Sequence, residues 1–257
     1  KNILSCMAAI IIIVFFIPYT ASGFAACGKL FSSLFGMNYM VAMLVSAVVI
    51  VGYTAAGGFF AASTTDFIQS IIMTFAIAFV LVYSTIAAGG VDAVIDNVRD
   101  LPGYLSMTAS YSETTGQSDP YNLLHIITTL SWGLGYFGMP HILLRFMAIE
   151  DEKKLKLSRR VASVWVVIAM GIAVLIGVVG RTLSNANIVP QLSGNDTETI
   201  IVRIAHVISE NGVFFAIIAG LILAGILAST MSTADSQLLV SASSVAEDIF
   251  KGLLKKN

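Results

Sequence analysis

Six long blocks of apolar residues divide the chain, and each is longer than the strands and core helices of most soluble domains. The blocks cover residues 3–31, 39–62, 67–89, 123–147, 161–179 and 213–240. Because a helix rises about 1.5 Å per residue, about 20 apolar residues cross a hydrocarbon core of about 30 Å. We therefore predict an all-α fold, a polytopic membrane helical bundle whose six spans form one transmembrane domain over residues 1–257.

The composition excludes an ordinary soluble protein. Hydrophobic residues make up 57% of the chain, charged residues only 11%, and the mean hydropathy is +0.88. Membrane lipid is therefore an expected partner, and nucleic acid is not. The chain opens on Lys1 rather than Met and stops soon after its last apolar block. We expect a fragment of a longer protein, with the missing helices of the same full-length chain as further partners.

The basic residues orient the predicted spans. If Lys1 is cytoplasmic, ten of the 14 basic residues fall on the cytoplasmic side and four on the outer side. This bias obeys the positive-inside rule and predicts that both ends of the chain are cytoplasmic, in the cell inner (plasma) membrane. Residues 90–121 and 182–211 then form outer loops. The second loop carries apolar residues on one face of a predicted helix over 200–210, which either crosses an outer vestibule or lies at the membrane interface.

A polar run interrupts the last apolar block. Residues 229–237 supply Ser, Thr, Gln and one carboxylate, Asp235, in a segment that is otherwise apolar. A carboxylate at the middle of a membrane helix costs about 2.5 to 3.5 kcal/mol on insertion scales, and such residues mark ion or substrate pathways. The alternative for the hydroxyls is that they bond back to carbonyls three or four residues earlier in the same helix.

The fourth block contains helix-weakening residues and an aromatic stripe. Residues 131–141 hold three glycines and a proline, and such breaks are tolerated in membrane helices mainly where they line a cavity. Trp132, Tyr136 and Pro140 recur every four residues, either as packing or as a binding surface. In the first block Tyr19 follows Pro18 at a comparable depth. Polar or aromatic groups from three helices near the bilayer centre are typical of a transporter.

Several motifs together resemble those of the solute:sodium symporter family over essentially the whole chain. They are Tyr53-Thr54-Ala55-Ala56-Gly57-Gly58-Phe59, Thr65-Asp66 with Gln69, Trp132 to Gly138 with Pro140-His141, Arg145-Phe146-Met147 and Met231-Ser232-Thr233. The resemblance is closest to the bacterial members that transport proline. It implies an inverted-repeat fold of the leucine-transporter type, of which this chain covers core helices three to eight.

The resemblance also implies the roles of individual residues. The substrate-binding positions match Tyr19, Trp132, Tyr136 and Pro140, and the sodium-binding positions match Ser232 and Thr233, with a main-chain contribution at Ser229. Asp66 matches an aspartate near the inner mouth of the ion path. Asp235 stands where the proline-transporting members have a serine, although related members carry Thr-Ala-Asp-Ser, and we place it in the ion path because it is a carboxylate in an apolar helix. Sodium favours oxygen ligands, so hydroxyls and carbonyls suit its reversible binding.

These observations predict a sodium-coupled symporter that imports a small organic solute, first of all proline, by alternating access. The alternatives are another solute, such as pantothenate, a short monocarboxylate, a sugar or sialic acid, or a transporter-like sensor domain of a signalling protein. We expect no cofactor besides Na+ as the coupling ion. An enzyme is not expected, because the three histidines lack zinc-ligand spacing and suggest no Ser-His-Asp arrangement.

Overall fold

The helices follow the apolar blocks of the sequence. A computed structural model describes residues 2–112 and 115–254. The predicted cytoplasmic ends, Lys1 and Asn257, lie outside the described residues, as do the basic residues Lys255 and Lys256. The α-helices are α1 Asn2–Phe35, α2 Tyr39–Ala87, α3 Val91–Arg99, α4 Leu123–Tyr136, α5 Pro140–Met147, α6 Leu155–Asn185, α7 Ile200–Ser209 and α8 Val213–Ser243. Short 3-10 helices cover Glu152–Lys154 and Gly194–Thr199, and a π-helix, Ser244–Leu254, continues α8.

Four helices within the described ranges are long and apolar enough to cross a membrane. They cover Leu4–Phe35, Tyr39–Ala87, Glu152–Asn185 and Val213–Lys251. Large apolar side chains on these helices point outward, for example Val48 and Val167, which are 72% and 73% exposed. The chain is therefore an all-α membrane helical bundle, as the apolar blocks predict.

The predicted second and third spans form one helical stretch, α2. Its 49 residues would reach about 73 Å if straight, far more than one hydrocarbon core. The stretch is not straight, because Gly58 has φ 58° and ψ −149°, a conformation that breaks the helix and is open essentially to glycine alone. The kink separates two halves close to the predicted boundary between the spans.

The predicted fourth span consists of two short helices, α4 and α5. The predicted break is present, because α4 ends at Tyr136 and Pro140 begins α5 at the first helical position. Met139 has the extended backbone that proline imposes on the residue before it. Asn122 caps the start of α4 by accepting the His125 N–H at 2.7 Å. The count of six spans stays a prediction.

The chain divides into two compact units, and each is described by itself. The first contains Lys1–Ala76 and Asn211–Asn257. Here α1 packs along α8 and the π-helix, and a Cβ added at Gly23 would lie only 3.3 Å from the Ala234 Cβ. Such small residues allow the two backbones to approach closely. Ala234 also packs in one buried cluster with Cys27 of α1 and Ile50 of α2.

The second unit, Ile77–Glu210, contains both predicted outer loops. The amphipathic helix α3 buries Val94 and Val98 and contacts α6. Between α3 and α4 the strands β1, Ala109–Ser112, and β2, Gln117–Pro120, form an antiparallel pair with Ala109 opposite Pro120. The predicted helix of the second loop is confirmed as α7, which buries Ile204 and Ile208.

Candidate functional site

A buried carboxylate lies at the centre of the first unit. Asp235 on α8 is 0% exposed. The Tyr53 hydroxyl of α2 donates to its Oδ2 at 2.9 Å. On the other side, the Ser236 hydroxyl lies 3.2 Å from Asp235 Oδ1 and 3.1 Å from the Ser232 carbonyl oxygen, and its single proton can be donated to either. Hydrogen bonds of this kind are what allow a charged group to be buried.

A second buried carboxylate lies near the first. Asp66, in the second half of α2, is 8% exposed and close enough to Asp235 and Tyr53 to interact with both electrostatically. Tyr53 and Asp66 are 13 residues apart, which in a straight helix would separate them by about 20 Å. The break at Gly58 lies between the two residues, so both halves of α2 can lie near Asp235 of α8.

The predicted sodium-binding residues lie just before Asp235 on the same helix. Ser232 is half-buried, whereas Ser229 and Thr233 are exposed. The Thr233 hydroxyl donates to the Ser229 carbonyl oxygen at 3.3 Å. This is the bond to a carbonyl four residues earlier that a hydroxyl with a purely structural role would make. A hydroxyl that donates its proton keeps its lone pairs, so this bond does not prevent Thr233 Oγ1 from binding a cation. The two oxygens, 3.3 Å apart, can contact one ion.

A further polar contact joins α1 to α8. The Thr20 hydroxyl donates to Gln237 Oε1 at 3.3 Å, and the two side chains are 5% and 1% exposed. The Gln237 Nε2 is buried and has no hydrogen-bond partner among the described residues. Thr20 follows Tyr19, a predicted substrate-binding residue that is half-buried and packs edge-on against Phe16 with ring centroids 6.5 Å apart. This contact therefore links the turn that carries Tyr19 to the polar run of α8.

The remaining predicted substrate-binding residues belong to the second unit. Trp132 and Tyr136 lie one turn apart on α4 and are 67% and 48% exposed, and Pro140 is half-buried at the start of α5. Because the helix breaks between Tyr136 and Pro140, the predicted four-residue repeat does not run through one helix. A shared face of all three, and a pocket joining them to Tyr19, stay predictions.

Two residues of the buried polar cluster are predictable from the sequence, and the others are not. Asp235 and Asp66 stand out as carboxylates beside apolar segments, whereas no local pattern predicts a role for Tyr53, Thr20 or Gln237. Their partners are about 180 to 220 residues away along the chain, so no local pattern reveals the contacts. The only local signal was a glutamine in an apolar helix, since Gln is rarely buried without a partner.

Comparison with known proteins gives consistent results. The model of the Sodium:solute symporter family matches residues 1–257. The chain is 38% identical over 252 residues to "Sodium/proline symporter 2" of Staphylococcus saprophyticus, covering 98% of this chain and 46% of that protein. It is 36% identical over 257 residues to "High-affinity proline transporter PutP" of Bacillus subtilis, covering 100% of this chain and 50% of that protein.

A third relative is the "Sodium/proline symporter" of Staphylococcus aureus, 36% identical over 251 residues, covering 98% of this chain and 46% of that protein. The chain therefore spans about half the length of the curated relatives that it matches. No solved structure gives a significant match.

Proposed function

Because the chain belongs to the Sodium:solute symporter family, we propose that the protein of which it forms part is a sodium-coupled secondary active symporter importing a small organic solute, first of all proline. One observation carries this proposal: Asp235 is fully buried on the membrane-length helix α8, two residues after Thr233 and three after Ser232. A carboxylate in such a helix is retained where ions or substrates pass. The proline relatives, 36–38% identical over nearly the whole chain, support the choice of solute.

The sodium ion binds at the polar run of α8. Ser232 and Thr233 contribute their hydroxyl oxygens, and Ser229 contributes its carbonyl oxygen. The Thr233 hydroxyl oxygen and the Ser229 carbonyl oxygen are 3.3 Å apart. Oxygen ligands suit a hard cation, and uncharged oxygens hold it weakly enough to release it. The exposed position of Ser229 and Thr233 leaves room for further ligands from the rest of the full-length protein.

Asp66 and Asp235 form the ion path next to that site. Two carboxylates in one buried cluster repel each other, and this repulsion is relieved when a cation or a proton approaches. Tyr53 holds Asp235 from one side, and Ser236 connects its other oxygen to the Ser232 carbonyl. The cluster therefore attracts sodium to the α8 oxygens without requiring either carboxylate to bind it directly.

The solute binds at Tyr19, Trp132, Tyr136 and Pro140. Aromatic side chains suit a compact apolar body such as a pyrrolidine ring, and tyrosine hydroxyls orient a polar group. Trp132 and Tyr136 present 67% and 48% of their surface, which is available for a solute or for other helices of the same protein. A backbone from those helices is the expected partner of the solute carboxylate.

Transport follows alternating access in an inverted-repeat fold of the leucine-transporter type. Sodium binding favours the outward-open state, and coupling requires only that sodium has different affinities for the two states. A membrane potential of 100 mV contributes about 2.3 kcal/mol for each charge moved fully across. The protein resides in the plasma membrane with both ends of this chain cytoplasmic, and it uses Na+ as coupling ion, with no cofactor and no enzymatic reaction.

The solute and the ion are tested by counterflow in proteoliposomes that contain the full-length protein. Labelled proline should exchange against internal proline in the presence of sodium, and a panel of pantothenate, short monocarboxylates, sugars and sialic acid should compete poorly. Lithium replaces sodium in a parallel set. Proline exchange that is equally fast without sodium or lithium would contradict the proposal, and so would a preference for another solute in the panel.

The residue assignments are tested separately from one another. Trp132→Ala or Tyr136→Ala should weaken solute affinity more than sodium affinity, whereas Phe137→Ala, which removes a neighbouring aromatic ring that is 81% exposed, should change neither. Ser232→Ala and Thr233→Ala, each made singly, should raise the sodium concentration for half-maximal uptake. The matched control is Ser243→Ala, which removes an exposed hydroxyl about three turns further along α8.

A further inference from the structure

We propose that the first turns of α6 bind the phosphate headgroup of an anionic phospholipid, whose acyl chains lie along the exposed side of the same helix. The proposal goes beyond the proposed function, because it depends neither on the solute nor on the coupling ion. We call this surface the lipid face. It combines basic residues at the start of α6 with apolar residues that continue their row, namely Lys156, Arg159, Arg160, Val167, Met170 and Val174.

Three basic residues form the headgroup end of the lipid face. Lys156, Arg159 and Arg160 are all exposed. Because residues three and four apart are neighbours on a helix, the three side chains project from one side of α6. The two guanidinium groups offer planar forks of N–H donors that match a phosphate, and the ammonium group adds a third positive charge. An anion with several acceptor oxygens therefore fits this end.

The helix does not neutralise these charges itself. α6 contains no acidic residue. Of the three acidic residues just before it, Glu150 pairs with Lys154 at 3.2 Å, and Asp151 Oδ1 accepts the Lys153 backbone N–H at 2.9 Å. The third, Glu152, is exposed and lies outside α6. Basic residues at the start of a helix are also disfavoured by the helix dipole, which is positive at that end. A bound anion offsets both unfavourable effects.

The apolar end continues the same row of the helix. Val167, Met170 and Val174 follow Arg160 at steps of seven, three and four residues, which keeps them on the side that carries the basic residues. All three apolar side chains are exposed. The rise from Arg160 to Met170 is about 15 Å, half of a hydrocarbon core of about 30 Å. An acyl chain whose headgroup is held at Arg160 therefore reaches the bilayer centre beside Met170.

The second unit uses the other end of α6 for its own packing. The buried residues of α6 begin at Ile176 and lie in its last turns. This unit packs α3 and α7 against α6. Residues 155–175, all of which the structure describes, include no buried residue. The lipid face is therefore free of contacts that would compete with a lipid inside this unit.

The combination of charge and apolar surface selects the occupant. A topology signal requires basic residues on one side of the membrane but not on one face of a helix, so the positive-inside rule does not account for the row. An apolar helix packed here would leave the basic end unpaired, whereas a phospholipid supplies an anionic group and an apolar chain together. In the predicted orientation the start of α6 lies on the cytoplasmic side, where anionic lipids attract basic segments next to membrane helices.

The test measures binding of fluorescent phosphatidylglycerol to the purified full-length protein in neutral detergent micelles, with fluorescent phosphatidylcholine as the uncharged comparison. The unchanged protein should prefer phosphatidylglycerol, and added salt should weaken that preference. Arg159→Gln with Arg160→Gln should lower the affinity for phosphatidylglycerol roughly 30-fold, since each basic residue near an anionic lipid contributes about fivefold. The affinity for phosphatidylcholine should change little.

The matched control removes two exposed arginines from other helices of the second unit. Arg99→Gln with Arg203→Gln changes the net charge by the same amount, but these residues lie on α3 and α7. This control should keep the preference for phosphatidylglycerol. Lys156→Gln, a single change at the lipid face, should lower the affinity roughly fivefold, and it tests the proposal if the double arginine variant does not fold.

Two results would overturn the proposal. One is an unchanged protein that binds both lipids equally well, as expected if another helix of the full-length protein covers the lipid face. The other is a loss of affinity that is absent from the lipid-face variants or equally large in the control. A loss confined to the lipid-face variants, with normal thermal unfolding, would support the proposal. None of these results bears on sodium-dependent uptake, so the proposed function is tested separately.

Discussion

Replacing Asp235 with asparagine should weaken sodium binding strongly while the fold is retained. In the unchanged protein the Tyr53 hydroxyl donates to Asp235 Oδ2 at 2.9 Å. Asparagine has the shape of aspartate, and its Oδ1 can accept the same hydrogen bond. The negative charge is removed, and the new amide nitrogen can donate to the Ser236 hydroxyl, which keeps the Ser232 carbonyl as its acceptor. The variant therefore separates the electrostatic role of Asp235 from its role in joining α8 to α2.

The expected size follows from the contacts around Ser236. Its oxygen lies 3.2 Å from Asp235 Oδ1 and 3.1 Å from the Ser232 carbonyl oxygen, so the carboxylate is within about 6 Å of the sodium-binding turn. For a cation at about 8 Å and an effective dielectric constant of about 20, the attraction is about 2 kcal/mol. Since about 1.4 kcal/mol corresponds to a factor of ten, sodium affinity should fall roughly 30-fold.

The assay is the sodium dependence of initial solute uptake by the full-length protein in proteoliposomes. The half-maximal sodium concentration should rise roughly 30-fold in Asp235→Asn. Asp248→Asn, the same change on the π-helix that continues α8, is the control and should have little effect. A shift of less than about twofold in Asp235→Asn, with normal protein levels and normal thermal unfolding, would refute the ion-path role of Asp235.

Three further predictions concern stability. Thr20→Val should lower the free energy of unfolding by about 1–3 kcal/mol, because it leaves the buried Gln237 amide without its partner, whereas Thr20→Val with Gln237→Met should be nearly neutral in a double-mutant cycle. Gly58→Ala should cost about 1–3 kcal/mol in denaturant unfolding because of its glycine-only conformation, whereas the helical Gly52→Ala should be neutral or stabilising. Gly180→Ala should lower the thermal midpoint, because its Cβ would lie 2.6 Å from Ile200 Cγ1; an unchanged midpoint would contradict that packing.

The apolar blocks predicted the membrane helices because their length alone requires a helix in lipid. What they did not predict is the continuity of α2. Residues 61–66 are Ala, Ser, Thr and Asp, which are as compatible with a helix as with a turn, so the sequence placed a gap there and the structure places the break earlier, at Gly58. The Gly and Pro residues after Tyr136 gave the clearer signal, and the break they predicted is present.

Other features lacked any local pattern. The strands at Ala109–Ser112 and Gln117–Pro120 are short and polar, without the alternation of apolar and polar residues that identifies a half-buried strand. Asp235 could be singled out because a carboxylate is expensive in an apolar helix. Tyr53 could not, since a tyrosine in an apolar block is ordinary and its partner lies 182 residues further along the chain.

The exposed fraction of the candidate residues separates the polar cluster, which this chain buries by itself, from the predicted ligands, which it leaves exposed. Asp235 and Gln237 are 0% and 1% exposed, so the polar cluster of the first unit is closed by α1, α2 and α8 themselves. The predicted ligands Ser229 and Thr233 on the same helix are exposed, as is the Trp132 ring in the second unit. Since the relatives are about twice as long, the proposed sodium and solute sites would be completed by further helices of a full-length protein that cover these exposed residues, as the proposed function requires.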